Sequence, residues 1–350
     1  MGYVAVKGGE KAIENSLVFY SKIIKSHDKL SDEAIINSLR FAVDRVLSEG
    51  SLFTKKLSAK AIKKSGGDLL NAAFYIRAHR STCQRVGIAP TISVEDIRIL
   101  RRISSAFKDI KGGQLLGPSD DYAVKLLIDD NYRQNKYEHY DSKDIFLESA
   151  LTPLREKNLV KRLQKDEKIW DITRKFPNPP YPRSAVQQVM SRGETGSMLA
   201  FAYTSMRGYG DVHPTVGDLR IGFAPVYFKH PFLNEDVKIG EIEVTACECA
   251  GSFNKDESGE IKLTTGFGFC FGFNETKAIA MSILDLSLYN KAYTTGEKSI
   301  ADDFDMIMFH IDGIESFGFT NHYKLPHYVT FQSDLQVFNK SREYSKEKYK

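Results

Sequence analysis

The sequence predicts an α+β fold, with a mostly helical N-terminal half and a C-terminal half that mixes helices with a small β-sheet. Three observations predict it. Apolar residues recur at helical spacing through the first third of the chain. Runs that alternate apolar and polar residues appear only in the second half. No internal repeat is present.

Each element follows from a local signal. Ile13, Leu17, Tyr20 and Ile24 fall at i, i+4, i+7 and i+11, one apolar stripe of a first helix. Ser31 suits an N-cap for a second, with Ile35, Leu39, Val43 and Val46 inward and Gly50 as its stop. Gly66-Gly67 ends a third helix, and Asp68 caps a fourth that runs to about Arg85. Ser93 with Asp96 has the form of a capping box and predicts a fifth helix down to Phe107. Lys111 to Pro118 reads as a turn region, followed by a short helix from Ser119. From Asn131 to Trp170 the chain is polar with weak periodicity, although 145–163 holds a helix. Phe176 to Pro182 then carries four prolines in seven residues.

Beyond the prolines, Ser184–Met190 and Ser197–Met206 read as helices. Leu219–Phe228, Lys238–Cys249 and the Gly- and Phe-rich Ile261–Phe273 read as strands, and Asn274 caps a helix through Leu288. The expected organisation is a helical domain over 1–130 and a polar, Pro-rich connecting region over 131–182. An α+β domain over 183–338 and a basic, solvated tail over 339–350 follow.

Composition narrows the class. Apolar residues make up 42% and charged residues 27%, as in an ordinary globular protein. No run of ~18 apolar residues predicts a membrane span. The opening MGYVAVKGGEKAIENS lacks the order of a signal peptide, and Val6 stands where myristoylation needs Ser or Thr. Cys83, Cys247, Cys249 and Cys270 form no C-x-x-C pair and are too few for a disulfide scaffold, which points to a reducing cytoplasm. A net charge of +4, with no basic stripe and no recognised binding motif, disfavours a nucleic-acid binder.

Four glycine-rich stretches stand beside a donor or cation: Lys7-Gly8-Gly9, Lys111-Gly112-Gly113, Arg207-Gly208-Tyr209-Gly210 and Thr264-Thr265-Gly266-Phe267-Gly268. Glycine lets backbone N–H groups approach an anion, so each is read as a turn that could hold phosphate. None is a P-loop or a G-x-G-x-x-G, and any one alone is more often a plain tight turn than a phosphate site. The stretch Arg207 to Pro214 places an arginine, a tyrosine and His213 within eight residues, suited to phosphate and base contacts. Asp218, Glu241, Glu243 and Glu248 fall on or near the expected sheet, with Asp312 and Glu315 further on. Cleavage of an N-glycosidic bond needs a carboxylate beside an oxocarbenium-like state, but most of these acids suit solvated strand edges. Cys247 and Cys249 read as alternate buried thiols, with a weaker metal reading beside it.

The segment His322-Tyr323-Lys324-Leu325-Pro326-His327-Tyr328 poses a separate question. On a helix, i and i+5 lie about 140° apart. On a straight strand the two rings would face opposite ways. Pro326 disfavours helix, so a bent loop is expected, and such a loop can turn both rings to one point. The spacing is a chelate spacing for zinc, yet two ligands are too few for a closed site, and two solvated imidazoles are the plainer alternative.

Several blocks, taken together and in order, resemble one family. They are VAVKGGEKAIE (4–14), AVDRVLSEG (42–50), RRISSAFKDIKGGQLLGPSDDY (101–122), RGYGDVHP (207–214), TTGFGFCFG (264–272) with NETKAIAM (274–281), and NHYKLPHYVTFQ (321–332). They resemble PhnI, a subunit of the bacterial carbon–phosphorus lyase core complex for phosphonate breakdown. The resemblance implies action on ATP or GTP, with release of the purine base and retention of the 5-triphosphate on ribose. With companion subunits G, H and L it implies transfer of that ribose to an alkylphosphonate. It further implies assembly with G, H and J, two copies of each, and zinc at His322 and His327. On that reading Lys7, Gly8, Gly9, Arg207 and Tyr209 would contact nucleotide, and Glu248 would be a catalytic carboxylate. An alternative keeps the chemistry with the partners and gives this chain an assembly role. One position departs from the family pattern T-E-C-E, which stands here as Thr245-Ala246-Cys247-Glu248.

Overall fold

The computed structural model describes residues 9–23, 30–122, 126, 144–161, 168–206, 213–255, 259–289 and 299–348. The chain divides into a smaller unit, Met1–Leu30 with Ile314–Lys350, and a larger one, Ser31–Gly313. The fold is α+β.

The larger unit begins with four helices: α2 (Asp32–Ser38), α3 (Arg40–Glu49), α4 (Lys55–Lys64) and α5 (Leu69–Thr82). Their caps follow the sequence. Ser31 Oγ accepts from Ala34 N, Thr54 Oγ1 from Leu57 N, and Asp68 Oδ1 from Asn71 N, each satisfying an orphan donor of the first turn. Val43, Val46 and Leu47 of α3 pack with Ile62 of α4 and Ile76 of α5 in one apolar cluster. Full burial of such a side chain stabilises by roughly 1.5–3 kcal/mol.

The expected fifth helix is instead a strand. Ser93 and Asp96 do make the capping box, with Asp96 Oδ2 accepting from Ser93 N at 2.6 Å. The box opens a single 3₁₀ turn, Val94–Asp96, and the chain then extends as β1 (Arg98–Ile103). Ile97 and Ile99 alternate inward, and β2 offers an antiparallel partner in the register Arg98↔Phe223. Pairing with a strand far along the chain overrides the local helix signal. Nor does a helix start at Ser119; the segment to Tyr122 is turn and coil.

The helices α6 (Thr152–Glu156), α7 (Arg183–Arg192) and α8 (Thr195–Met206) come next. The long strands β2 (Thr215–Lys229), β3 (Asp236–Lys255) and β4 (Ile261–Phe271) complete an antiparallel sheet in the order β1-β2-β3-β4. Helix α9 (Glu275–Tyr289) lies across its face, and α10 (Phe304–His310) follows. Met281, Leu284 and Leu288 of α9 meet Cys247 and Cys270 of the sheet in the main core.

The glycines of β4 explain how closely α9 packs. A Cβ at Gly266 would collide with Ser282 O, and one at Gly268 with Ala278 O. Thr264 to Gly268 is therefore strand, as the reading of Ile261–Phe273 expected, and not a phosphate-holding turn. Phe267 and Phe269 project to the opposite face, against Val244 and Ala246. The outer edge of β4 is capped by side chains. Asp285 Oδ2 accepts from Phe267 N at 2.8 Å, and Gln187 Nε2 donates to Phe267 O at 3.0 Å.

The smaller unit contains α1 (Gly9–Ile23), most of α11 (Gly313–His322) and α12 (Tyr328–Lys348). Neither α1 nor α12 buries a residue. The apolar stripe Ile13, Leu17 and Tyr20 does lie on a helix, and it is exposed. Residues 339–348, expected as a frayed tail, are the last turns of α12 and are exposed. No helix among the described residues is long and apolar enough to cross a membrane.

Candidate functional site

The two histidines meet. His322 ends α11, and a turn closed by Leu325 N donating to His322 O at 2.9 Å reverses the chain. His327 then precedes α12, its carbonyl accepting from Phe331 N. The Nε2 atoms of the two rings approach to 3.1 Å with the ring planes nearly perpendicular, at 86°, and both residues are exposed. His327 Nδ1 lies 2.6 Å from Leu325 O. A carbonyl can only accept, so this nitrogen carries the proton and Nε2 presents a lone pair. Second-partner contacts of this kind orient histidine ligands in metal sites. Two nitrogens sharing a tetrahedral zinc stand about 3.3 Å apart, close to the separation here. The separation therefore fits two ligands on one metal, and the tautomer of His327 suits the role. Among the described residues no group of three or more His, Cys, Asp or Glu could hold a metal ion, so further ligands would come from outside these residues.

Glu248 sits on β3, paired in register with Asp218 of β2 and Phe267 of β4. Strand alternation turns Cys247 and Cys249 toward α9 and Glu248 to the other face, under the segment 144–161. Both carboxylate oxygens are taken. Ser149 donates its hydroxyl proton to Oε2, and Arg155 Nη2 donates to Oε1. Cys247 and Cys249 are buried as expected, and burial pushes the Cys249 thiol up to about 12.

The other sheet acids are ion-paired rather than solvated. Asp218 is buried and takes Arg220 Nη2 at 2.7 Å, Arg102 Nε at 3.2 Å and Ala150 N at 2.7 Å. Glu243, also buried, meets Lys55 at 2.8 Å and Arg40 at 2.5 Å. Glu241 meets Arg98 and Lys238. Asp312 is buried against Arg77 at 2.6 Å. The arginines that face them come from β1, β2, α3 and α5, and the buried acids are each paired with a cation.

The remaining expectations divide. Gly9 is the first residue of α1, with a positive φ of 50°, and is exposed. Lys7, Gly8, Arg207 and Tyr209 lie outside the described residues. The turn at Lys111 to Gly113 forms, with both glycines at positive φ. Its carbonyls point inward, however. Arg102 Nη1 donates to Lys111 O at 2.8 Å, so the turn is held by a cation through its carbonyls. Ser149 and Arg155 are the residues sequence reading missed. They lie 99 and 93 positions from Glu248, and no local pattern links them.

This chain falls within a class of bacterial phosphonate-metabolism proteins. Over residues 2–345 it matches the family described as bacterial phosphonate metabolism protein (PhnI), and it belongs to that family. An Escherichia coli K12 protein named alpha-D-ribose 1-methylphosphonate 5-triphosphate synthase subunit PhnI is 36% identical, the match covering 97% of this chain and 98% of that one. A Rhizobium meliloti protein of the same name is 33% identical over 97% and 95%. A Stutzerimonas stutzeri protein, provisionally named C-P lyase subunit protein HtxH, is 43% identical over 96% and 94%.

Proposed function

We propose that this chain breaks the N-glycosidic bond of a purine nucleoside triphosphate, ATP or GTP, within a phosphonate-degrading complex. One observation carries the reading. Relatives matched along nearly their whole length are named for a product that is a ribose with triphosphate at C5 and methylphosphonate at C1. A nucleoside triphosphate already holds that ribose, with a base where the phosphonate must go. Exchange breaks C1′–N9, forms C1′–O to the phosphonate, and lets the base leave with a proton. With water in place of the phosphonate the same cleavage is a nucleosidase reaction.

Partners named G, H, J and L, a two-copy assembly and a cytoplasmic setting belong to this proposal. His322 and His327 would hold zinc there, which would supply Lewis-acid polarisation of an oxygen ligand. Lys7, Gly8, Gly9, Arg207 and Tyr209 remain the proposed nucleotide contacts. Glu248 enters through the groups it holds, because both its oxygens are engaged.

A second reading, an assembly subunit without chemistry, is favoured by the exposed apolar residues of α1 and α12, which include Leu17, Phe19, Phe331 and Phe338. Incubation of the zinc-replete chain with ATP, alone and then with subunits G, H and L plus methylphosphonate, separates the two. Free adenine with ribose triphosphate, or its phosphonate adduct, supports the enzyme. Release of inorganic phosphate with adenine still attached overturns it, and no reaction in either mixture leaves the assembly reading.

A further inference from the structure

We infer that Arg155 is a triphosphate-binding residue, held in position by Glu248. The inference rests on the nucleoside-triphosphate reading above and deepens it.

Glu248 is a fixed carboxylate. It lies within the paired part of β3, and its side chain is 13% exposed. Ser149, which donates to it, is buried. That hydroxyl also accepts from Leu151 N at 3.1 Å, and the intervening Ala150 N donates to Asp218. A carboxylate locked at both oxygens is a poor base and a poor partner for a cationic sugar. It is a good anchor for an arginine.

Arg155 has the complementary character. Its side chain is 40% exposed, and its contact among the described residues is a single N–H from Nη2 to Glu248. Arg40, Arg45, Arg77, Arg98 and Arg101 each meet two or more partner groups. Those arginines are spent on the fold. Among the described residues one N–H of Nη2 is taken, so Arg155 keeps its Nε and Nη1 N–H groups and the second N–H of Nη2, which can pair with either to form a donor edge. A solvent-exposed ion pair contributes little stability, so stability is a weak reason for the arrangement. A guanidinium with one edge fixed and the other open is a pre-organised fork for phosphate oxygens.

The test is equilibrium binding to the full chain, with partner subunits present where wild type needs them. The probes are ATP, adenosine and inorganic tripolyphosphate. Arg155→Ala is expected to weaken ATP and tripolyphosphate by about tenfold or more while leaving adenosine unchanged. Arg155→Lys should recover part of the loss, because charge remains without the fork. Glu248→Gln should weaken ATP by less than Arg155→Ala and leave the thermal midpoint near wild type. In turnover, the Arg155→Ala loss should fall in KM rather than kcat. Wild-type affinity for ATP in the Arg155→Ala variant overturns the inference. Arg155-dependent ATP binding without adenine release would keep it and remove the nucleosidase reading. Adenine release unaffected by the variant would do the reverse, and wild type that binds no ATP would remove both.

Discussion

The Nε2 atoms of His322 and His327 approach to 3.1 Å across a turn, although five positions separate the two residues in the chain. The separation suits two ligands on one metal, and the Leu325 carbonyl fixes the tautomer of the second ring. The proposal of zinc at this pair predicts that the chain, dialysed against zinc and then metal-free buffer, keeps metal that either His322→Ala or His327→Ala loses. The two single variants should lose as much as the double, because one nitrogen cannot chelate. Elemental analysis reads the result without any activity assay. Equal retention by both variants would remove the pair as a metal site.

Among the described residues, Asp218 is the one carboxylate paired with the two buried arginines Arg102 and Arg220. Six further donations from those guanidiniums go to the carbonyls of Lys111, Gly113, Glu148, Val94 and Leu147, Glu148 accepting from both, and tie three segments to the sheet. Asp218→Ala leaves two cations buried without their anion, at a cost of about 3–5 kcal/mol. Asp218→Asn keeps an acceptor and should lose less. Urea denaturation of the purified chain checks the order, and an alanine variant as stable as wild type would refute the role assigned to the carboxylate.

Much of this fold is legible from local signals. Asp68 caps the helix it was expected to cap, and Leu219–Phe228 and Lys238–Cys249 lie within β2 and β3; Ser31 caps a helix that stops at Ser38, with Leu39 exposed and Val43 and Val46 on a separate helix that runs to Gly50. Failures arise where a distant partner decides. The capping box at Ser93 is real, yet β2, more than a hundred positions away, draws the next residues into a strand. Glycine in TTGFGFC has the same composition in a phosphate turn and in a strand beneath a helix. Only the approach of Ala278 O and Ser282 O tells them apart. The histidine turn was legible because Pro326 and the spacing are both local. The clamp on Glu248 was not, since Ser149 and Arg155 reach it from another segment.

The approach of α9 to β4 makes Gly268 a sensitive position. A methyl group there meets the backbone at Ala278 and Ser282 and the Cβ of Met281, none of which can yield without moving the helix. Gly268→Ala should cost more than the ~1–3 kcal/mol of ordinary overpacking. At Gly240 of the hairpin, nothing lies within 4 Å of the added atom, and the same substitution should be nearly neutral. Comparison of the two thermal midpoints checks this, and equal midpoints would contradict the packing described.

The thiols should react in two classes. Cys83 is exposed, whereas Cys247, Cys249 and Cys270 are buried. Burial pushes Cys249 and Cys270 up to about 12 and Cys247 further in the same direction, so thiolate is scarce at neutral pH. Alkylation of the native chain at pH 8 followed by mass analysis should label Cys83 first and the other three only after denaturation. Rapid native labelling at Cys249 would show that α9 opens over the sheet.

Glu194 gives the fold a component of acid sensitivity. Burial pushes its carboxyl up, but the N–H groups of Gly196 and Ser197 and the charge of Arg45 outweigh that, and the net direction is down from the ordinary 4.5. A folded-state value below the unfolded one means that stability from this group is present above about pH 4.5. It is lost as pH falls through the lower, folded-state value. Glu194→Gln removes the charge that Arg45 and the first turn of α8 hold. The variant should be less stable than wild type at pH 7, and the gap between their urea midpoints should narrow as pH is taken below 4. A gap that stays constant across this range would mean that Glu194 stabilises the junction by packing alone, without its charge.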